Sequence, residues 1–219
     1  MFLITFEGID GSGKSTQVRR LDAYLQDEGY DTLVVREPGG TELSERVRSL
    51  LLDPDLKVEP FTELLLFSAA RAQVSAERIR PALADGRIVL CDRFYDSTTA
   101  YQGAGRGVAE PDWLQAFHRR VTGDLVPDRT YLVEVNPETA QARRDDAARD
   151  DDRMEAAGDD FYRRVRDAYA ELAEEHSDRF VRLDGTRPID ALHDTVRNDV
   201  QFLLDKGGGT PNSGAGSSS

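Results

Sequence analysis

Cysteine is nearly absent from this chain. The single Cys91 rules out an internal disulfide, and its place in the apolar run "RIVLCDRF" marks a buried, unreactive thiol. Lysine is scarce too: only Lys14, Lys57 and Lys206 occur, and arginine carries the remaining positive charge. Basic charge as a whole falls short of acidic charge, 28 Lys and Arg against 41 Asp and Glu, for a net charge of -13. That balance excludes a general nucleic-acid binder, which must neutralise phosphates with basic surface. Long hydrophobic runs are missing as well, and nothing approaches the ~20 apolar residues of a membrane-spanning helix. Met1 leads straight into "FLITF" without the basic flank or cleavage site of a signal peptide. The expectation is a soluble cytoplasmic protein with neither a membrane nor a nucleic-acid partner. The acidic runs at Asp145, Asp150 and Asp159 suit a halophilic surface, where strong screening removes self-repulsion, or an ordinary acidic cytosolic one.

The 219 residues suffice for one α/β domain with a substantial core. Short apolar runs predict strands at Phe2–Phe6, Asp31–Arg36, Arg87–Cys91, Thr130–Val135 and Arg179–Leu183. Helical patterns lie between them. One runs from about Lys14 to Glu28, with Val18, Leu21, Tyr24 and Leu25 on one face and Gly29 ending it. Others are "ELSERVRSLLL", a long stretch from Pro60 that Pro81 should kink or break, and a closing helix from Pro188 to about Leu204. Alternating strands and helices imply a five-stranded parallel sheet covered by helices on both faces. Ligands of such sheets bind at the C-terminal strand edge, where Gly8, Arg36, Asp92 and Arg93 should converge. The domain is expected to span 1–206. The tail 207–219, "GGGTPNSGAGSSS", is a flexible low-complexity end with nothing to bury.

Chemistry enters at "GIDGSGKST", Gly8 to Thr16, which fits G-x-x-x-x-G-K-S between a strand and a helix. Backbone N–H groups of Gly8, Ile9, Asp10, Gly11, Ser12, Gly13 and Thr16 can cradle phosphates. Lys14 can reach the outer phosphates and Ser15 can hold Mg²⁺. Such a loop serves small-molecule kinases, GTPase switches and motor ATPases. No guanine-reading N-K-x-D follows the fourth strand, which ends "VEVNPETA". In "IVLCDR" the acidic residue is followed at once by Arg93, which suits an enzyme gripping a second anionic substrate better than a motor. Asp10 is the oddity of the loop, because a carboxylate beside a polyphosphate repels it.

The segments "FEGIDGSGKST", "REPGGT", "LLLFSAARAQ", "DRFYDSTTAYQGAGRG" and "DRME" occur in that order. Together they resemble the thymidylate kinase family, from about Phe2 to Leu204. The resemblance implies a P-loop NTPase-type sheet with a helical lid segment at about 144–158. It also implies transfer of a phosphoryl group from ATP to dTMP with Mg²⁺, supplying dTTP for DNA synthesis, by a homodimer. It turns Asp10 toward the monophosphate, near the sugar 3′-hydroxyl. Arg36 and Arg93 would bind the 5′-phosphate, Glu37 would hold their loop or the metal, and Asp92 would hold Mg²⁺ through water. Phe67 would stack on thymine, Arg71 would bond the base edge, and Thr98, with Ser97 beside it, would read the ring nitrogen. Tyr101 and Gln102 would lie along sugar and base, with the Tyr101 ring barring a 2′-hydroxyl. Since the loop lacks an arginine, the lid would supply the catalytic ones: Arg149 and Arg153, with Arg144 in reserve. Lys14 and Arg93 complete the catalytic set. A plain solvated charge run at Asp150–Asp152 is the other reading of that segment. His118, His176 and His193 read as ordinary helix residues and Trp113 as a packing residue. Two alternatives stay open: a P-loop kinase of another nucleotide or nucleoside, and a nucleotide-dependent switch.

Overall fold

The structure is a computed structural model that describes residues 1–146 and 158–207. Strands β1 (Phe2–Glu7), β2 (Thr32–Arg36), β3 (Ile88–Asp92), β4 (Arg129–Glu134) and β5 (Phe180–Asp184) form a sheet in the order β2-β3-β1-β4-β5. Every pairing is parallel. The C-terminal strand ends therefore line one edge, with Phe6 and Arg36 both in register with Asp92. Expected and observed strands differ by one residue at most at each end.

The central strand β1 is buried along its whole length, so both its faces need cover. Its period of two divides the residues. Phe2, Ile4 and Phe6 point into a core with Val18, Leu21 and Leu25 of α1 (Lys14–Asp27) and Leu192, Val196, Val200 and Leu204 of α9 (Ile189–Gly207). Leu3 turns the other way, toward Val89, Cys91 and Val74 of α3 (Pro60–Val74). A third cluster joins Leu132 and Val135 to Phe161, Val165 and Tyr169 of α8 (Asp159–Glu175). Leu21 and Leu25 are fully buried; truncating either to alanine should cost about 2–5 kcal/mol.

The remaining helices are α2 (Glu42–Leu52), α4 (Arg80–Ala84), the single turn α5 (Tyr95–Thr98), α6 (Pro111–Thr122) and α7 (Pro137–Asp146). Thr41 caps α2 by accepting the Ser44 N–H (3.2 Å). The break expected at Pro81 takes the form of a widened π turn at Ser75–Ile79, just upstream of α4. Proline has no N–H to donate and its ring crowds the preceding turn. The chain absorbs this by letting the Arg80 N–H reach back to the Ser75 carbonyl. Cys91 is fully buried on β3, and burial pushes its thiol well above the ordinary range.

Candidate active site

The loop from Gly8 to Gly13 leaves β1 and turns into α1. Its path depends on glycine at two contacts. A Cβ on Gly8 would lie 2.4 Å from the Val133 carbonyl oxygen, and one on Gly11 would lie 2.4 Å from that of Ala140. Both have positive φ, 136° and 82°. Asp10, Gly11, Gly13, Lys14, Ser15 and Thr16 line a cradle closed by Arg19, Arg143 and Arg144. Gly8 and Ile9 lie on an adjoining depression with Val133, Asn136 and Thr186. Arg143 donates to the Ser12 carbonyl (3.1 Å) and the Gly185 carbonyl (2.9 Å), and Arg144 to the Asp10 carbonyl (2.9 Å).

Asp10 stands between two cations. Its Oδ1 lies 3.2 Å from Lys14 Nζ and 2.9 Å from Arg93 Nη2. Partial burial works against its charge, but Arg93 and then Lys14 outweigh that and hold the carboxyl far below the usual range. Asp10 is also the residue that the cradle shares with a second cleft. That cleft collects Glu37, Phe67, Arg71, Arg93, Ser97, Thr98, Tyr101 and Gln102, with Pro38, Arg48 and Leu52 on its rim.

Its walls are largely bonded to one another. Arg71, on α3, donates Nε to Glu37 (2.6 Å), Nη1 to the Thr98 hydroxyl (2.7 Å) and Nη2 to the Phe94 carbonyl (3.0 Å). Both partners of the Arg71–Glu37 pair are buried. Burial raises the Glu37 carboxyl, with Arg71 pulling the other way. Arg93 has a left-handed backbone (φ 74°), donates to Ser97 Oγ (3.1 Å) and lies 5.0 Å from the centre of the Tyr101 ring. Tyr101 sits in a π turn (Thr99–Gly105) with its edge toward Phe161. Gln102 donates its amide to Glu63 Oε1 (2.9 Å). Ser15 donates its hydroxyl to Asp92, so a hydroxyl and a carboxylate meet where the loop passes β3.

The family model for thymidylate kinase matches residues 6–196. The chain belongs to the thymidylate kinase family. It is 50% identical to the thymidylate kinase of Chlorobium chlorochromatii over 92% of this chain and 95% of that one. Identity to the thymidylate kinase of Deinococcus radiodurans is 49%, over 86% and 91%. The fold resembles the crystal structure of thymidylate kinase from Ehrlichia chaffeensis (TM-score 0.74, 36% identity), covering 91% of this chain and 98% of that one.

Within this family member, one residue expected in the cleft lies elsewhere. The Arg36 side chain is half exposed and pairs with Glu45 (3.2 Å), away from the cleft lining. The strand-end position is shared with Asp92, but alternation along β2 sends this side chain outward. Arg48, four residues before Leu52 on the same helix face, lines the cleft and donates to the Pro38 carbonyl (3.1 Å). Sequence reasoning missed it because "ELSERVRSLLL" reads as a plain amphipathic helix. It also missed Arg143 and the two buried carboxylates Glu7 and Glu63. The signal for Glu7 was a charged residue closing an otherwise apolar strand. Arg149 and Arg153 lie outside the described residues. His118 is buried, donates to or accepts from Thr99 Oγ1 (3.0 Å) and stacks on Tyr95; burial pushes its pKa down to about 3. Trp113 is exposed and stacks on Phe117 (4.8 Å).

Proposed function

We propose that this protein transfers the terminal phosphoryl group of ATP to the phosphate of dTMP. The observation that carries this reading is the shared wall at Asp10. A phosphate cradle and a second cleft, lined by Phe67, Thr98, Tyr101 and Gln102, open on either side of it, with Lys14 on one side and Arg93 on the other. A nucleotide switch has no use for the second cleft. A phosphate oxygen of dTMP is already a nucleophile, so no general base is required. The protein's work is to align donor and acceptor, exclude water and neutralise charge. Lys14 meets the donor phosphates, and Arg93 holds the acceptor phosphate in line. Arg149 and Arg153 of the expected lid segment, about 144–158 and largely outside the described residues, would supply further positive charge, with Arg144 in reserve. Phe67, Thr98, Tyr101 and Gln102 receive the nucleoside. Arg71 braces Glu37, Thr98 and the Phe94 carbonyl with three of its five N–H groups, and the other two can bond the base edge in the cleft it lines.

Ser15 and Asp92 together offer hard oxygen donors of the kind Mg²⁺ takes. Among the described residues no cluster of three His, Cys, Asp or Glu could hold a metal; an ion bound mainly by nucleotide phosphates needs none. When bound, Mg²⁺ would neutralise phosphate charge. The deciding experiment is turnover of dTMP with ATP and Mg²⁺, with dCMP, dGMP and ribothymidine monophosphate as competitors. Turnover of one of these in place of dTMP would make it a kinase of another nucleotide, and ATP binding with no acceptor would favour the switch.

We extend the proposal to the assembly and the surface. Phe61 and Leu65 on α3 and Trp113 on α6 are exposed, and Phe61 lies 6.3 Å from Trp113. This aromatic face supports a homodimer; a monomeric mass by light scattering would overturn it. No helix among the described residues is long and apolar enough to cross a membrane, and the proposed place of action is the cytoplasm. The net charge of -13 supports adaptation to high salt. The unfolding midpoint should rise with KCl as the Debye length shortens toward about 3 Å near 1 M; a flat or falling midpoint would refute that adaptation.

A further inference from the structure

Glu7 ends β1, is fully buried and has no part in the mechanism above. A buried carboxylate needs partners, and all of its partners brace the acceptor cleft. Its Oε1 accepts the Phe94 N–H (2.7 Å). Its Oε2 accepts the hydroxyls of Ser97 (2.5 Å) and Tyr169 (2.8 Å). Ser97 Oγ in turn accepts from Arg93 Nη1 (3.1 Å). Glu7 therefore holds Arg93 at both ends: the backbone just after its left-handed φ of 74°, and the guanidinium through Ser97.

We propose that Glu7 is a positioning residue for Arg93 and takes up a proton when the phosphate of a nucleoside monophosphate binds there. This rests on the acceptor-cleft reading above. Arg93 already serves two carboxylates, Asp10 by direct contact and Glu7 through Ser97. A phosphate dianion at Arg93 would be a third anionic claim on one cation, in a site with little water to screen it. Glu7 is the member best able to give up its charge. Burial and the neighbouring Asp96 of α5 raise its pKa to about 7, against the Ser97 hydrogen bond and the pull of Arg93. The other groups facing it are Arg179 at the start of β5, which attracts it, and four neutral ones. These are Cys91 of β3, Tyr95 of α5, Tyr101 of the π turn and Tyr169 of α8, each raised by burial. A nearby dianion moves the Glu7 pKa further up.

The hydrogen bonds give this proton a purpose. While Glu7 is ionised, the Ser97 hydrogen is committed to it. A proton from solvent on Oε2 reverses the bond, so that Glu7 donates to Ser97 Oγ. The Ser97 hydrogen, released from the carboxylate, can then turn to the Tyr169 hydroxyl (3.0 Å) or into the cleft that Ser97 lines, where a phosphate oxygen competes for it.

The test is calorimetry of dTMP binding to the full chain at pH 7.5, in buffers of different ionisation enthalpy, which counts protons. A carboxyl with pKa about 7 is about three-quarters ionised there, so the wild type should take up ~0.7 proton more than Glu7→Gln. Titration of the nucleotide phosphate, near pH 6, is common to both proteins and cancels. Equal uptake by the two proteins overturns the inference. A wild type that does not bind dTMP sinks the acceptor-cleft reading instead. Should Glu7→Gln not fold, Tyr169→Phe removes one donor to the carboxylate. Its free Glu7 is then less ionised, so uptake at pH 7.5 should shrink and its profile move to higher pH; an unchanged profile overturns the inference as well.

Discussion

The two halves of this site are held together by different means. The phosphate cradle is built mainly on one short loop and the start of α1, closed by Arg143 and Arg144, and its shape lies in the backbone: two glycines of the loop at positive φ pass within touching distance of neighbouring carbonyls. The acceptor cleft comes from α2, α3, α5, the π turn and the turns after β2 and β3, and its shape lies in side chains bonded to one another. The difference teaches that the same loss of activity should arise by different routes. A cradle residue can be removed with the wall intact, while a cleft residue supports its neighbours and takes stability with it.

Arg71→Ala tests the cleft half hardest. It leaves Glu37 buried without its counter-charge, and breaking one side of a buried pair costs about 3–5 kcal/mol. The effect carries a pH signature. Burial already raises the Glu37 carboxyl with Arg71 present, and without Arg71 it rises further. A carboxyl raised in the folded state costs stability at pH above its folded range and ceases to cost as pH falls through that range toward its unfolded value. The deficit measured by urea unfolding should therefore be larger at neutral than at acid pH. A deficit below ~1 kcal/mol, or one independent of pH, would break the comparison.

Lys14→Ala tests the cradle half. Removing one positioned cation from the phosphoryl-transfer transition state should cost on the order of 3 kcal/mol, a hundredfold or more in kcat. Stability should fall much less than in Arg71→Ala, because the Asp10 partner is a third exposed and keeps Arg93. Near-normal turnover in the folded variant would sink the reading of the loop.

Glu63→Gln sharpens the cleft half into a question of selectivity. A carboxylate only accepts hydrogen bonds, so Gln102 must present its NH₂ to Glu63 and keep its carbonyl for another donor. Thymine has a ring N–H where cytosine has a lone pair. The ring N–H that the family resemblance gives to Thr98 thus gains a second acceptor, since the Thr98 oxygen already takes a bond from Arg71. In Glu63→Gln the Gln102 amide can turn either way. The preference for dTMP over dCMP in kcat/KM should fall by roughly 5- to 150-fold, from about 1–3 kcal/mol per unmatched polar group. An unchanged ratio would mean that something else orients Gln102.

These contrasts also account for what could be read in advance. The strands and the cradle were legible because both are local: an apolar run specifies a strand, and a glycine pattern specifies a loop. Asp10 was legible as an anomaly, and its two cations became visible only when β3 brought Arg93 beside the loop. The cleft depended on the family motifs, since nothing local links Arg71 to Glu37, 34 positions away, or Gln102 to Glu63, 39 away. The role of Glu7 was hidden for the same reason: its charge at the end of an apolar strand was visible, but its partners Ser97 and Tyr169 lie 90 and 162 positions along the chain.

Arg36→Ala should have the smallest effect. Sequence places Arg36 at a strand end beside the site, and the family resemblance gives it a hold on the 5′-phosphate. In the fold its side chain is 52% exposed, and its partner Glu45 is 49% exposed. Exposed pairs of this kind contribute about 0–1 kcal/mol, because water screens the attraction and two long side chains lose freedom. By that measure kcat/KM for dTMP should change by less than about fivefold, and the melting temperature should barely move. A phosphate ligand would behave otherwise, since losing a charge-assisted bond to a phosphate costs about 1.5–3 kcal/mol. Arg48→Ala supplies the contrast from within the same loop-and-helix unit: Arg48 lines the cleft and anchors the Pro38 carbonyl. The expected order is a larger rise in the KM for dTMP from Arg48→Ala than from Arg36→Ala. The reverse order would mean that Arg36 leaves Glu45 and swings inward when dTMP binds, and that the cleft wall is less prebuilt than its hydrogen bonds suggest.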